Sequence, residues 1–174
     1  GIDIIVCETV AYLGEAKIAV EVARDFGLPI VLGFAIHKSG QLRDFDGSVG
    51  EACKIVRDHG ADVVGVNCHR GPATMLPLLD EIVEHVEANH TCGFPVAYRT
   101  TPQEPTFGAL RDPNQPYPEQ VPGGIHFPVA LDPFTCTRYE MGEFARAAKA
   151  LGVRYMGGCC GTGPHHIRAM AEAL

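Results

Sequence analysis

Five times along this chain a short, apolar, largely β-branched run gives way to a longer stretch with helical periodicity. That alternation limits the fold more than any other feature. The apolar runs lie at residues 2–6, 30–36, 62–67, 94–98 and 153–157, and the helical stretches at about 13–26, 48–59, 73–88 and 138–151, with a last one beginning at Pro164. Local signals agree with this division. Gly27 ends the first helical stretch, Ser48 stands three residues before Glu51 in a capping-box arrangement, and Pro164 suits a first helical turn.

Unbroken apolar strands are those with both faces covered, so strict strand–helix alternation predicts a parallel sheet flanked by helices. The chain is then α/β, either an open doubly wound sheet or part of an eight-fold barrel. A complete barrel takes roughly 250 residues, so 174 residues supply about five of eight units. Residues 99–133 break the pattern. They are rich in Pro and Gly, and such excursions are usually lids, binding loops or mobile segments.

Composition narrows the function classes. With 46% hydrophobic and 20% charged residues the chain has enough apolar matter for one globular domain. A net charge of −7 without a basic stripe argues against nucleic-acid binding. No apolar run approaches the roughly 18 residues that cross a membrane. The seven cysteines are odd in number and two are adjacent, which suits metal-binding or reactive thiols in a reducing cytoplasm better than a disulfide framework. The chain opens inside an apolar run and stops within a helical pattern, as a piece of a longer protein would.

Parallel α/β sheets place their chemistry beyond the C-terminal ends of the strands. There the sequence sets Cys7-Glu8-Thr9, Asn67-Cys68-His69 and Gly158-Cys159-Cys160-Gly161. Three thiols, Cys68, Cys159 and Cys160, thus converge from distant strands. Zinc suits sulfur ligands, and three protein ligands leave a fourth position open. Three thiolates overcompensate the metal's charge, so the site favours holding an incoming thiol as thiolate over activating water. Adjacent cysteines reach one metal only where the backbone leaves the pleat, which Gly157, Gly158 and Gly161 permit.

Other readings of these residues stay open. Cys159-Cys160 also suits a redox pair. Glu8 is either a partner for a substrate ammonium group or a solvated strand-end carboxylate. Asn67 either binds substrate or hydrogen-bonds the loop. Cys53 and Cys92 read as core residues, Cys7 and Cys136 as core or loop filler. His69, His165 and His166 are unnecessary as ligands, and the latter two, near a helix start, read as surface residues.

Gly65-Val66-Asn67-Cys68-His69, Leu151-Gly152-Val153-Arg154-Tyr155-Met156-Gly157-Gly158-Cys159-Cys160-Gly161, Thr137-Arg138 and Pro164-His165-His166-Ile167-Arg168-Ala169 together resemble the homocysteine S-methyltransferase family, and most of all its betaine-using branch. The likeness runs along almost the whole chain and is weakest at residues 99–125. It implies a (β/α)8 barrel of which residues 1–174 are the last five βα units, a homocysteine-binding zinc domain truncated at its N-terminus. It further implies a Zn2+ ion on Cys68, Cys159 and Cys160, with Glu8 holding the amino acid end of homocysteine. The implied activity is zinc-dependent transfer of a methyl group from a small donor such as betaine to homocysteine, forming methionine. Two alternatives are the homocysteine-binding module of a cobalamin-dependent methionine synthase and a zinc or thiol-redox domain without methyl transfer. A homo-oligomer is compatible with either. An open five-unit sheet exposes unpaired edges, so the isolated piece is expected to be inactive or prone to aggregate.

Overall fold

The computed structural model describes residues 1–114 and 121–174. Five strands, β1 (Ile5–Val10), β2 (Ile30–Phe34), β3 (Val63–Asn67), β4 (Thr91–Phe94) and β5 (Tyr155–Met156), form one sheet in the order β1-β2-β3-β4-β5, with every pairing parallel. The helices are α1 (Leu13–Arg24), α2 (Val49–His59), α3 (Pro72–Val83), α4 (Arg138–Ala150) and α5 (Pro164–Glu172). A doubly wound sheet reverses its strand order at a switch point. Strictly sequential order has no such reversal, and is that of a stretch of barrel wall.

The main core lies between the sheet and the helices. Leu32, Phe34, Val64 and Val66 meet Ala16, Val20, Val56, Leu79 and Phe144 there, all nearly or fully buried. Truncating Phe34 or Phe144 to Ala would cost about 3–5 kcal/mol. The opposite face carries a small cluster of Val31, Val63 and Cys92, with Phe94 packed on it. In register with these are Val6 on β1 and Tyr155 on β5, which stay 52% and 42% exposed. Both faces of the middle strands are therefore covered, as their unbroken apolar runs predict, but the outer strands are half-open.

The helix starts follow the sequence closely. Ser48 accepts from the Glu51 N–H at 3.1 Å while the Glu51 carboxylate accepts from the Ser48 N–H at 2.8 Å. Thr137 and Glu140 repeat the arrangement at α4. Strand boundaries differ from expectation. β1 begins at Ile5, not residue 2, because pairing starts where Ile5 meets Ile30, and it runs to Val10 through an irregularity after Cys7. Cys7, Glu8 and Thr9 therefore lie within the strand rather than beyond its end. β4 is Thr91–Phe94 instead of 94–98. Pro95 has no N–H for the ladder, and the next N–H groups, of Val96 and Ala97, donate to Arg70 and Cys160 carbonyls in the rim loops. β5 keeps only two residues of the expected 153–157: the Val153 N–H bonds back to Ala148, and after Met156 the Gly157 N–H keeps only a long bond of 3.4 Å to Gly93. α3 closes at Val83, not near 88, where His85 and Val86 both bond back to Ile82.

Residues 99–133, of which 115–120 lie outside the described residues, hold only single 3-10 turns among those described, such as Phe107–Ala109. The segment still belongs to the domain. Phe107, Leu110 and Leu131 form a second buried cluster with Cys68 and Val96, and Tyr98, Phe134 and Cys159 pack against it.

Candidate metal centre

The C-terminal ends of β1, β3 and β5 bring together the residues that the sequence places there. Cys68 follows β3 directly, and its N–H donates to the Phe94 carbonyl at 3.0 Å. Cys159 donates its N–H to Pro95 at 2.8 Å, and the Cys160 carbonyl accepts from Ala97 at 2.9 Å. The segment after β4 thus clamps both thiol-bearing loops, which is what its absence from the sheet achieves. Beyond the pair, the chain turns at Gly161, whose φ of +77° is strained for any side-chain-bearing residue.

The sulfurs of Cys68, Cys159 and Cys160 all lie within 4.8 Å of one another. Cys68 Sγ is 3.6 Å from Cys160 Sγ, and Cys159 Sγ is 3.9 Å from Cys160 Sγ. Three sulfurs on a tetrahedral zinc at bond lengths of about 2.3 Å stand about 3.8 Å apart. The donor set and its spacing therefore fit zinc. A disulfide does not fit, since it needs about 2.05 Å, and all seven cysteines are free.

The protonation pattern has the same cause. Cys159 is drawn down to about 6, chiefly by a hydrogen bond from the Cys68 thiol, against the opposing effect of burial. Cys68 is pushed far up by the same interaction and then by burial, and burial first of all raises Cys160. Without a cation one thiolate is readily formed, and its charge opposes ionisation of the other two. Beside the pair, Thr162 Oγ1 is buried and has no hydrogen-bond partner among the described residues.

Asn67 is fully buried at the end of β3 and reaches across to β1. Its side-chain oxygen accepts from the Thr9 N–H at 2.8 Å, and its Nδ2 donates to Thr9 Oγ1 at 2.9 Å and to Glu8 Oε2 at 3.3 Å. Both donor hydrogens are thereby engaged, which leaves Asn67 holding Glu8 and Thr9. Glu8 itself is exposed at the rim, and its charge is felt at Cys159. Between these strands Gly33 must be a glycine, because a Cβ there would meet Asn67 Oδ1 at 2.5 Å. Three non-glycine residues have positive φ among those described, Thr9 at 63°, Cys68 at 58° and His69 at 58°. All three stand at this site, where such strain is commonly concentrated.

Of the remaining cysteines, Cys53, Cys92 and Cys136 are buried and Cys7 is half-buried against the main core. His165 is exposed as expected, but His166 is not a surface residue. It is 1% exposed, accepting from the Gly163 N–H at Nδ1 (3.0 Å) and donating from Nε2 to the Cys136 carbonyl (2.8 Å). Burial follows because the ring stands in for a cap at the start of α5. His69 packs edge-on to His37 at 4.2 Å and to Phe107 at 6.0 Å. Neither His37 nor the aromatic wall of Tyr98, Phe107 and Phe127 carries a sequence signal, since they come from irregular segments whose meeting is purely tertiary.

Residues 1–174 match a family model described as homocysteine S-methyltransferase. Betaine–homocysteine S-methyltransferase 1 of Xenopus laevis is 37% identical over 177 residues, covering 99% of this chain and 40% of that protein. S-methylmethionine–homocysteine S-methyltransferase of Mus musculus is 32% identical, over 99% of this chain and 45% of that protein. The chain thus spans less than half the length of these relatives. Among solved structures, the metallated form of a homocysteine methyltransferase from Escherichia coli covers 100% of this chain and 46% of its own, with a TM-score of 0.66 at 16% identity. That likeness shows the fold.

Proposed function

The chain belongs to the homocysteine S-methyltransferase family, and from that premise we propose that it provides the zinc and homocysteine site of an enzyme that transfers a methyl group from a small donor such as betaine to homocysteine, forming methionine. The observation that carries this reading is the cluster of three sulfurs, gathered from two loops 92 residues apart and spaced as tetrahedral ligands. Cys68, Cys159 and Cys160 would hold Zn2+. When bound there, zinc supplies a thiolate at neutral pH from a thiol whose free pKa is about 8.5.

The chain's own residues do the rest. With three cysteines as its ligands the metal would have room for the substrate sulfur as a fourth. Glu8 offers its carboxylate to the substrate ammonium group, and Asn67 fixes Glu8 and the strained Thr9 beside it. The methyl donor must then approach in line from the open side of the sulfur, so that positioning supplies much of the rate. Residues 1–174 act as one homocysteine-binding unit, the last five βα units of a (β/α)8 barrel. Among the described residues no helix is long and apolar enough to cross a membrane.

The direct test is zinc stoichiometry with and without homocysteine, read with X-ray absorption. About one zinc per chain, with sulfur replacing a lighter ligand when homocysteine is added, is the expected result. No zinc, with Cys159 and Cys160 joined or freely alkylated, would overturn the reading.

A further inference from the structure

The stretches Thr137-Arg138 and Pro164–Ala169 carry part of the family resemblance, yet the thiol cluster uses none of their charged side chains. Folding brings them together along a trough between α4 and α5, with a volume of about 750 Å3 and ten lining residues. Its floor is made of small residues. A Cβ on Gly142 would stand 3.3 Å from the Ala169 carbonyl oxygen and 3.7 Å from the Ala173 Cβ, so the two helices meet closely there. The long side chains around this contact are exposed. They bring three guanidinium groups, of Arg138, Arg146 and Arg168, against one carboxylate, that of Glu172. In a chain of net charge −7 this is a local reversal of sign. Arg146 is held by Glu143, at 2.5 Å, from outside the lining. Arg138 donates to the Tyr139 hydroxyl at 2.7 Å, and the Arg168 guanidinium has no hydrogen-bond or ion-pair partner among the described residues. Glu172 is near enough for its charge to act on Arg138, without an ion pair between them.

Guanidinium forks pair with anionic oxygens through parallel N–H groups. Arg138 and Arg146 lie two turns apart on α4, about 12 Å along its axis, which is more than a single phosphate or carboxylate spans. Three cations against one carboxylate call for several negative charges in a short length, and a phosphate chain supplies them. The volume is that of a small-molecule site, and ten lining residues fall well short of the roughly 20–30 a side of a stable protein interface. At the edge stands Tyr139, 67% exposed, with the Arg138 guanidinium over one face of its ring at 4.8 Å from the centroid. The other face is open to a planar ring. We propose that the α4–α5 trough binds a small polyphosphate anion, free or as the phosphate chain of a nucleotide, with Arg138 and Arg168 gripping the phosphates and Arg146 extending the site. This site lies outside the thiol cluster and does not rest on the zinc reading above.

The test is equilibrium dialysis of the full chain at low salt, with inorganic tripolyphosphate in one arm and ATP in the other, read as phosphorus retained per chain. Wild type should hold one anion per chain, and less as salt rises. Arg138→Ala and Arg168→Ala should each weaken binding about tenfold, the worth of a charge-assisted hydrogen bond. Their melting temperatures should stay unchanged, since both side chains are exposed. ATP held more tightly than tripolyphosphate, with the advantage lost in Tyr139→Leu, would support the site and identify its ligand as a nucleotide. Equal affinities would support it as a site for the phosphate chain alone. No anion retained at millimolar concentration would overturn the proposal. Wild-type affinity in the Arg138→Ala/Arg168→Ala double variant would also overturn it, by placing the anion elsewhere, a bound metal included. Zinc stoichiometry is read separately, so either reading can fail without the other.

Discussion

Cys68 and Cys160 are 92 residues apart in the chain, yet their sulfurs stand 3.6 Å from each other. Neither residue can be moved without the other's loop, because β4 and the segment after it bond to both: Phe94 to Cys68, Pro95 to Cys159 and Ala97 to Cys160. The thiol cluster is thus a property of three strand ends acting together.

Removing one sulfur should empty the site. Cys159→Ala or Cys160→Ala is expected to abolish both zinc retention and methyl transfer, measured as metal per chain by elemental analysis and as methionine formed. Full turnover by a metal-free variant would contradict the assigned chemistry.

Asn67→Ala leaves the Thr9 N–H without its acceptor and Glu8 without its donor. A lost buried hydrogen-bonding group costs about 1–3 kcal/mol, so the denaturant midpoint should fall by that equivalent. If Glu8 receives the substrate ammonium, KM for homocysteine should rise in the same variant more than kcat falls. Gly33→Ala should reproduce both effects, since its Cβ would displace the same side chain.

His166 makes two buried hydrogen bonds, to Gly163 and to Cys136. His166→Ala should destabilise the chain by about 2 kcal/mol and loosen the turn that follows Cys160. His165→Ala, at an exposed position, should change the thermal midpoint little.

Acid should weaken the start of α4. Arg99 grips the Glu140 carboxylate through Nε and an Nη, at 2.6 and 2.7 Å, and together with the Thr137 cap lowers its pKa to about 2 from 4.5. A depressed carboxylate pKa stabilises the fold above the unfolded value. Its contribution is therefore full above pH 4.5 and is lost as pH falls from there toward 2. Both side chains are at least 40% exposed, and solvent screening reduces the contribution to about 1 kcal/mol. Glu140→Gln should flatten that part of the stability–pH curve, measured by urea unfolding between pH 5 and 2.

The repeating pattern of apolar runs and helical stretches was enough to establish a parallel α/β chain, and the Ser48–Glu51 cap could be read directly, because these depend on neighbours in sequence. The cysteines at strand ends were legible for the same reason: topology alone sends them to one rim. Tertiary structure decided the rest. β4 ends at Phe94 because the amide groups after Pro95 are recruited by loops from elsewhere, and β1 starts where β2 offers it a partner. His166 is buried by a carbonyl 30 residues away. The engagement of Asn67 with Thr9 and Glu8, and the placing of Tyr98 over Gly161, rest on distances between segments that no local pattern encodes. Periodicity specifies which face of an element is apolar. Only the packed chain specifies which polar atoms then meet.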